Sequence, residues 1–361
     1  MDKIFLIDKN TITYKQVIDY LNGDLEINNG SYFENKILFF LKSINPNRIN
    51  SFENLKSNII NYEGLITIET SGTSGNPKKV FHTIQNLIKN VKILDKYTEN
   101  IWVNTYDPSK MAFYQVFFQS ILNYNTLVNC FGESFKIIFN KINFNYCTHI
   151  SATPTFYKML SSDLLVYNNI KQVTIGGEPV QDSLFKIIGL IFPNAKVKNI
   201  YASTEASSLL SSNSNIFTIP ESLKNQIKIE NNELLLKKNL LGNFDCGDWF
   251  NTGDLVEMVS ENSFKINGRK NFLTKVAGYL LNPIQIEEEI NKFSFVKICK
   301  IYPKNNSVTG NILTCDIVLN EKIEINEIKK QLSNKLKKHE IPSIFHVVEN
   351  ITFTETNKIK R

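Results

Sequence analysis

The stretch VTIGGEPVQDSLFKIIGLIFPNAKVKNIYAS, Val173–Ser203, decides the fold class. "VTIGG" is a short apolar run closed by a glycine pair and reads as a strand. A helix is expected from about Asp182, and "KVKNIYAS" reads as a second strand with a polar end. The alternation continues outward. "GLITIET" (Gly64–Thr70) reads as a buried strand. "TIQNLIKNVKILDKY" (Thr83–Tyr97) reads as an amphipathic helix, with Ile84, Leu87, Val91 and Leu94 at helical spacing. "FYQVFFQSILNY" reads as a helix, and "THISATPTFYKML" as a strand, a turn at Pro154 and a helix. Strand–helix alternation predicts an α/β core.

Near Gly268–Arg269 the pattern changes. "NPIQIEEEINKF" reads as a helix, "VKICKIY" and "NILTCDIVL" as strands, "INEIKKQLSNKLKKH" as a Lys-rich helix and "SIFHVVE" as a strand. The expected organisation is a large N-terminal α/β domain of packed sheets and helices, residues 1–268, and a small C-terminal α+β domain, residues 269–361.

Of 361 residues, 42% are hydrophobic and 21% charged, as in ordinary globular proteins. With 41 Lys and Arg against 35 Asp and Glu, the net charge is +6. There is no dense basic block, so no nucleic-acid partner is expected, whereas a mild basic bias suits an anionic small molecule. Cys130, Cys147, Cys246, Cys299 and Cys315 are scattered, without a CxxC pair, so neither zinc nor a disulfide framework is expected. The start "MDKIFLIDKN" does not make a signal peptide, and no apolar stretch has the length of a membrane span. A reducing, cytoplasmic setting is expected.

"ETSGTSGNPKK" (Glu69–Lys79) concentrates Gly, Ser and Thr ahead of two lysines. Small residues let backbone approach phosphate, and their amides and hydroxyls donate to it. The spacing is not that of a Walker A loop. Taken alone, a surface turn fits such punctuation and is the commoner outcome. "YASTEAS" alone fits a helix N-cap, Asp254 alone a turn aspartate, and Lys358 alone a solvated tail residue. His82 and His149 read as packing or loop histidines, without apparent catalytic partners.

Taken together, "TSGTSGNPK", "YASTE", "NTGD", "GRKNFLTKVAG" and "TETNKIKR", in this order, resemble the adenylate-forming superfamily, which holds acyl- and aryl-CoA synthetases and nonribosomal-peptide adenylation domains. "GRKNFLTKVAG" keeps the family's spacing of Gly268 and Arg269 to Lys275 and Gly278. The resemblance implies an AMP-forming, ATP- and Mg²⁺-dependent acid–thiol ligase with a mobile C-terminal domain. Thr70, Ser71, Gly72, Thr73, Ser74, Gly75 and Lys78 would hold the β- and γ-phosphates of ATP. Gly176, Gly177 and Glu178 would line the adenine, with Asn199 at its edge and Tyr201 on its face. Thr204 would contact the α-phosphate and Glu205 would hold magnesium. Asp254, helped by Arg269, would bind the ribose. Lys275 belongs to the same implied binding set, and Gly278 would lie beside a pantetheine arm. Lys358 would bridge the substrate carboxylate and the α-phosphate. Asn271 stands where the family often has a hinge Asp.

The chain departs from the family in several places. Only about 65 residues precede the phosphate loop, which implies a smaller or more open acyl pocket, or a homodimer that covers it. A small or medium carboxylic acid is therefore expected. Ala202 and Asn357 stand where glycine is usual, and Asn251 where a basic residue is frequent. Lys110, in "TYDPSKMAFYQ", is a candidate partner for a second anionic group on the substrate, or a solvated lysine. The expected thiol acceptor is CoA. The alternative is the phosphopantetheine of an acyl carrier protein, which would come in trans. A nucleotide-binding scaffold with weak catalysis is the alternative of a different class.

Overall fold

Residues 173–203 form the expected strand, helix and strand in the computed structural model, which describes residues 2–45, 47–70, 78–161, 165–276, 278–306, 310–352 and 359. The chain packs as two compact units. One is Met1–Ile227 with Leu236–Phe250, and the other is Lys228–Leu235 with Asn251–Arg361.

The first unit opens with β1 (Ile4–Ile7), β2 (Thr11–Thr13), α1 (Tyr14–Asn22), α2 (Tyr32–Ile44) and α3 (Phe52–Ile60). Next come β3 (Ile66–Glu69), β4 (Lys79–His82), α4 (Ile84–Ile88), β5 (Ile101–Asn104), α5 (Met111–Ile121) and β6 (Thr126–Asn129). They are followed by α6 (Phe135–Phe144), β7 (His149–Ala152), α7 (Pro154–Leu160), β8 (Gln172–Gly176), α8 (Asp182–Ile191), β9 (Lys196–Ser203), β10 (Ser207–Ser212) and β11 (Ile216–Thr218). Eight strands form one sheet in the order β10-β9-β8-β7-β5-β6-β1-β2. Neighbours from β9 to β1 are parallel, while β10 and β2 are antiparallel edge strands.

Side-chain alternation divides this sheet between two cores. Trp102 and Leu127 pack with α1–α5, whereas the adjacent Val103 and Val128 pack with α6, α7 and α8. Parallel strands need crossovers of this kind, and helices on both faces bury both sides. Leu184, Ile188 and Ile191 of α8 recur at helical spacing and are all buried. Pro154 occupies the first turn of α7, behind an N-cap in which Thr153 accepts a hydrogen bond from the Phe156 amide.

The short N-terminal region is well specified locally. Thr13 with Gln16 and Ser31 with Glu34 form capping boxes at α1 and α2. These helices pack an aromatic layer against α5, including Phe5, Tyr14, Phe33, Phe113 and Phe117.

Two expected helices are shorter than their periodicity suggests. The helix expected over Thr83–Tyr97 ends at Ile88, because the next two side chains are used elsewhere: Lys89 donates to the Ala206 carbonyl and Asn90 to the Ser208 carbonyl. Val91 still packs into the core from an irregular segment. The Lys-rich helix ends at Ser333.

The second unit contains most of β12 (Ile227–Glu230), β13 (Glu233–Lys237), β14 (Trp249–Ser260) and β15 (Ser263–Arg269), which lie side by side. After these come the hairpin β16 (Thr274–Val276) and β17 (Tyr279–Leu281), then α9 (Pro283–Ile290), β18 (Val296–Asn306), β19 (Gly310–Leu319), α10 (Ile325–Ser333) and β20 (Ile344–Val347). Apolar residues of α9 and α10 share a core with β18, β19 and β20. The boundary expected at 268/269 falls at the end of β15, inside this unit. Among the described residues no helix is long and apolar enough to cross a membrane.

Phe117 is fully buried, with its ring centroid 5.3 Å from that of Phe118 and 5.7 Å from that of Phe40. Phe117→Ala is expected to destabilise the protein by roughly 3–5 kcal/mol in urea unfolding. A loss of less than about 1 kcal/mol would show that this layer is not close-packed.

Candidate functional site

The strands β3 and β4 pair antiparallel, from Ile66 opposite His82 to Glu69 opposite Lys79. Beyond the last pair, the Thr70 amide donates to the Lys78 carbonyl at 2.9 Å and the Lys78 amide to Thr70 Oγ1 at 3.3 Å. This brings the two ends of the expected phosphate loop together. Ser71, Gly72, Thr73, Ser74 and Gly75 lie outside the described residues. The Lys78 ammonium sits 3.7 Å from the Phe244 ring centroid and 5.6 Å from that of Phe250, a cation–π arrangement.

The carboxyl ends of β8 and β9 carry the next group. Gly176 ends β8, followed by Gly177 and Glu178. The Glu178 carboxylate accepts from the Thr155 amide at 3.0 Å and from Thr155 Oγ1 at 2.8 Å, so it is tied to the first turn of α7. Asn199 is buried and donates to the Ser214 carbonyl at 2.9 Å. Tyr201 is also buried, its ring edge-on to Phe217 at 6.2 Å.

Thr204 and Glu205 sit in the turn between β9 and β10, where Ser203 pairs with Ser207. Ser203 Oγ accepts from the Ala206 amide at 3.1 Å. Ser207 is fully buried and has φ +57°, a left-handed conformation that disfavours a side chain by roughly 1–2 kcal/mol. Its hydroxyl accepts from Gln115 Nε2 at 3.0 Å. Three successive carbonyls of the turn are each taken by a different segment. Thr204 O accepts from His82 Nε2 at 2.7 Å, Glu205 O from the Gly242 amide at 2.8 Å, and Ala206 O from Lys89 Nζ at 2.8 Å. Among the described residues no hydrogen bond or ion pair engages the Glu205 carboxylate.

A carbonyl only accepts, so His82 carries its proton on Nε2, leaving Nδ1 to accept from Asn86 Nδ2 at 2.9 Å. Burial pushes the His82 pKa below its ordinary value, against the opposing effect of the Thr204 carbonyl. Burial also lowers Lys89 to about 8. His82, expected as a packing histidine, is buried and packed, but its partner is the backbone of a candidate site residue 122 positions away. No spacing in the sequence announces that contact.

In the second unit, Asp254 and Arg269 face each other across β14 and β15. Arg269 Nε donates to Asp254 Oδ1 at 2.8 Å and its Nη2 to the Thr252 carbonyl at 3.4 Å. Thr252 Oγ1 donates to Leu234 O at 2.8 Å and accepts from the Asp254 amide at 3.0 Å. Asn251 donates to Glu233 at 2.6 Å, and Lys270 forms an ion pair with the same carboxylate. Lys275 lies exposed in β16. Gly278 has φ +89°, and a Cβ there would meet nothing within 4 Å, so the backbone conformation favours glycine rather than the space around it. Lys110 precedes α5 as its N-cap, half-buried. Asn357 and Lys358 lie outside the described residues.

Among the described residues no group of three or more His, Cys, Asp or Glu could hold a metal.

A family model described as AMP-binding enzyme matches residues 65–230. A 2-succinylbenzoate–CoA ligase of Staphylococcus epidermidis is 24% identical over 333 residues, covering 83% of this chain and 69% of that protein. A D-alanine–D-alanyl carrier protein ligase of the same species is 24% identical over 342 residues, covering 82% and 69%. Among solved structures, O-succinylbenzoate coenzyme A synthetase from Bacillus subtilis, in complex with ATP and magnesium ion, matches with a TM-score of 0.63 at 20% identity, over 81% of this chain and 68% of that one. At that identity the likeness speaks for the fold.

The Glu233 carboxyl is held below the ordinary carboxylate range, first by its hydrogen bond from Lys270 and then by that from Asn251. A folded-state value below the unfolded one stabilises above the unfolded pKa, and that stabilisation is lost as pH falls through the folded value. Lys270→Met is expected to lower the unfolding temperature modestly at pH 7, with the gap from wild type closing at acid pH. A gap that persists unchanged in a pH series of thermal melts would contradict this.

Proposed function

We propose that this chain, whose residues 65–230 match the AMP-binding enzyme family, is an adenylate-forming enzyme that joins a carboxylic acid to AMP, with loss of pyrophosphate, and passes the acyl group to a thiol. The observation that carries this reading is the Thr204–Glu205 turn, held through three carbonyls and bearing a carboxylate that makes no hydrogen bond or ion pair among the described residues.

In the first step a carboxylate oxygen attacks the α-phosphorus and the bond to the pyrophosphate oxygen breaks. Both reactants are anionic, so positioning and charge neutralisation carry the catalysis. Thr204 would donate to the α-phosphate. Lys358 would approach the attacking carboxylate and the α-phosphate, offsetting their repulsion. Thr70, Ser71, Gly72, Thr73, Ser74, Gly75 and Lys78 would retain the leaving pyrophosphate. Gly176, Gly177 and Glu178, with Asn199 and Tyr201, would form the adenine region, Glu178 acting from its tie to Thr155. Asp254 would accept from ribose hydroxyls, oriented by Arg269. Magnesium, held by Glu205, would supply further neutralisation of phosphate charge when bound.

In the second step a thiol, deprotonated on attack, adds to the acyl carbonyl and AMP leaves. CoA is the proposed acceptor, with Gly278 beside its pantetheine arm and Lys275 in the same binding set. The carrier-protein alternative draws on the D-alanyl carrier protein ligase among the relatives. A turn of the C-terminal residues at 268/269, with Asn271 as the hinge, would separate the two steps, although that position lies inside the second compact unit. The proposed acid is small or medium in size, and the proposed setting is cytoplasmic.

Pyrophosphate release should appear with at least one member of a panel of short and aromatic carboxylic acids, and turnover with CoA alone should yield its thioester. Lys358→Ala is expected to slow adenylation on the order of 100-fold or more without moving the unfolding temperature. Retained adenylation in that variant contradicts the role of Lys358. ATP binding without release for any acid favours the scaffold.

A further inference from the structure

We propose that His82 is a positioning residue for the nucleotide site, holding the Thr204–Ala206 turn and coupling it to the hairpin that carries the phosphate loop. The inference rests on the function proposed above for what the turn binds, and on geometry for what holds it. His82 ends β4, directly downstream of Lys78, and pairs with Ile66 at the base of the β3–β4 hairpin. From there its Nε2 reaches Thr204 O at 2.7 Å. The link is doubled through one loop. Asn243 exchanges both backbone hydrogen bonds with Phe81 of β4, at 2.6 and 3.0 Å, while the adjacent Gly242 amide holds Glu205 O.

The seat of the imidazole depends on Gly242. A Cβ at that position would lie 2.5 Å from His82 Cε1 and 2.7 Å from Val80 Cγ1. Neither the ring nor the β-branched valine is a flexible chain end, so any side chain there must displace one of them. The turn itself needs holding. Ser207 is left-handed, and a strained residue persists only where its surroundings over-determine it. Asn86 completes the device by binding Nδ1, which keeps the donor on Nε2. Removing the donor leaves the Thr204 carbonyl unsatisfied and lets the turn relax. Thr204 and Glu205 then shift while the loop hairpin keeps its own pairing.

This predicts a split between turnover and nucleotide capture. His82→Leu should lower kcat for acid-dependent ATP–pyrophosphate exchange on the order of 100-fold, the effect expected of a misplacement near 1 Å, with a much smaller change in KM for ATP. His82→Gln places an amide donor in reach of Thr204 O and should restore most of the rate. Gly242→Ala should reproduce the His82→Leu defect. Two readouts are independent of turnover. In the ligand-free protein, ¹⁵N spectra of the imidazoles should show His82 as the neutral Nε2–H tautomer, and Asn86→Ala should erode that signature. The magnesium-dependent part of the rise in unfolding temperature with ATP should be lost in His82→Leu and kept in His82→Gln.

Equal defects in the Leu and Gln variants, or an unchanged kcat in His82→Leu, overturn the proposal. If His82→Leu does not fold, His82→Gln decides by the magnesium-dependent shift and Asn86→Ala by that shift together with the tautomer signature; a shift lost in His82→Gln, or a wild-type-like shift in Asn86→Ala without the Nε2–H tautomer, overturns it. If wild type shows that shift but no exchange with any acid, the activity proposed above fails, and the shift in the His82 variants still tests the positioning role. A wild type whose stability does not respond to ATP with magnesium overturns both.

Discussion

Where β9 turns back into β10, the carbonyls of Thr204, Glu205 and Ala206 point away from any strand partner, and partly buried carbonyls must find donors. Here those donors come from β4, from the loop at Gly242 and from the segment after α4. Much of the local architecture follows. The strand β4 must end beside the turn, so the β3–β4 hairpin is fixed to it. α4 must end early, because Lys89 and Asn90 are needed as donors. Residue 242 must lack a side chain, because an imidazole fills the space.

The parallel sheet brings the turn to a useful place. Parallel pairing from β7 to β9 aligns carboxyl ends, so the segments after Ala152, Gly176 and Ser203 emerge on one edge. The chain leaves β5 through α5 on one face and β7 through α7 on the other, and α/β sheets commonly bind ligands in the crevice at such a reversal. Thr155, in the first turn of α7, spans from one emerging segment to the next by binding Glu178. In the second unit a different constraint operates. Asp254 and Arg269 are direct cross-strand partners, so sheet register alone sets them side by side.

Much of this was legible in the sequence because it depends on local chemistry. The helix from Asp182 and the turn at Pro154 into α7 rest on apolar spacing in α8 and on the Thr153 cap, both satisfied within a few residues of their own positions. Short glycine-, threonine- and lysine-bearing motifs were readable for the same reason, since each is only a few residues long. What misled was also local. Ile84, Leu87, Val91 and Leu94 have helical spacing, yet the helix stops at Ile88, since apolar periodicity cannot report that the intervening Lys89 and Asn90 are bound to distant carbonyls.

The sequence by itself determined the elements, their α/β alternation and which residue types stand in the candidate site, because those follow from periodicity and from motifs a few residues long. Only the tertiary structure decided how the site is held. His82 and Thr204 are 122 positions apart, and Lys89 and Ala206 are 117 apart. Contacts over such distances form only once parallel strands have been brought into register by their crossovers. No local pattern encodes them, and the same histidine in the same sequence context would otherwise be one more buried ring.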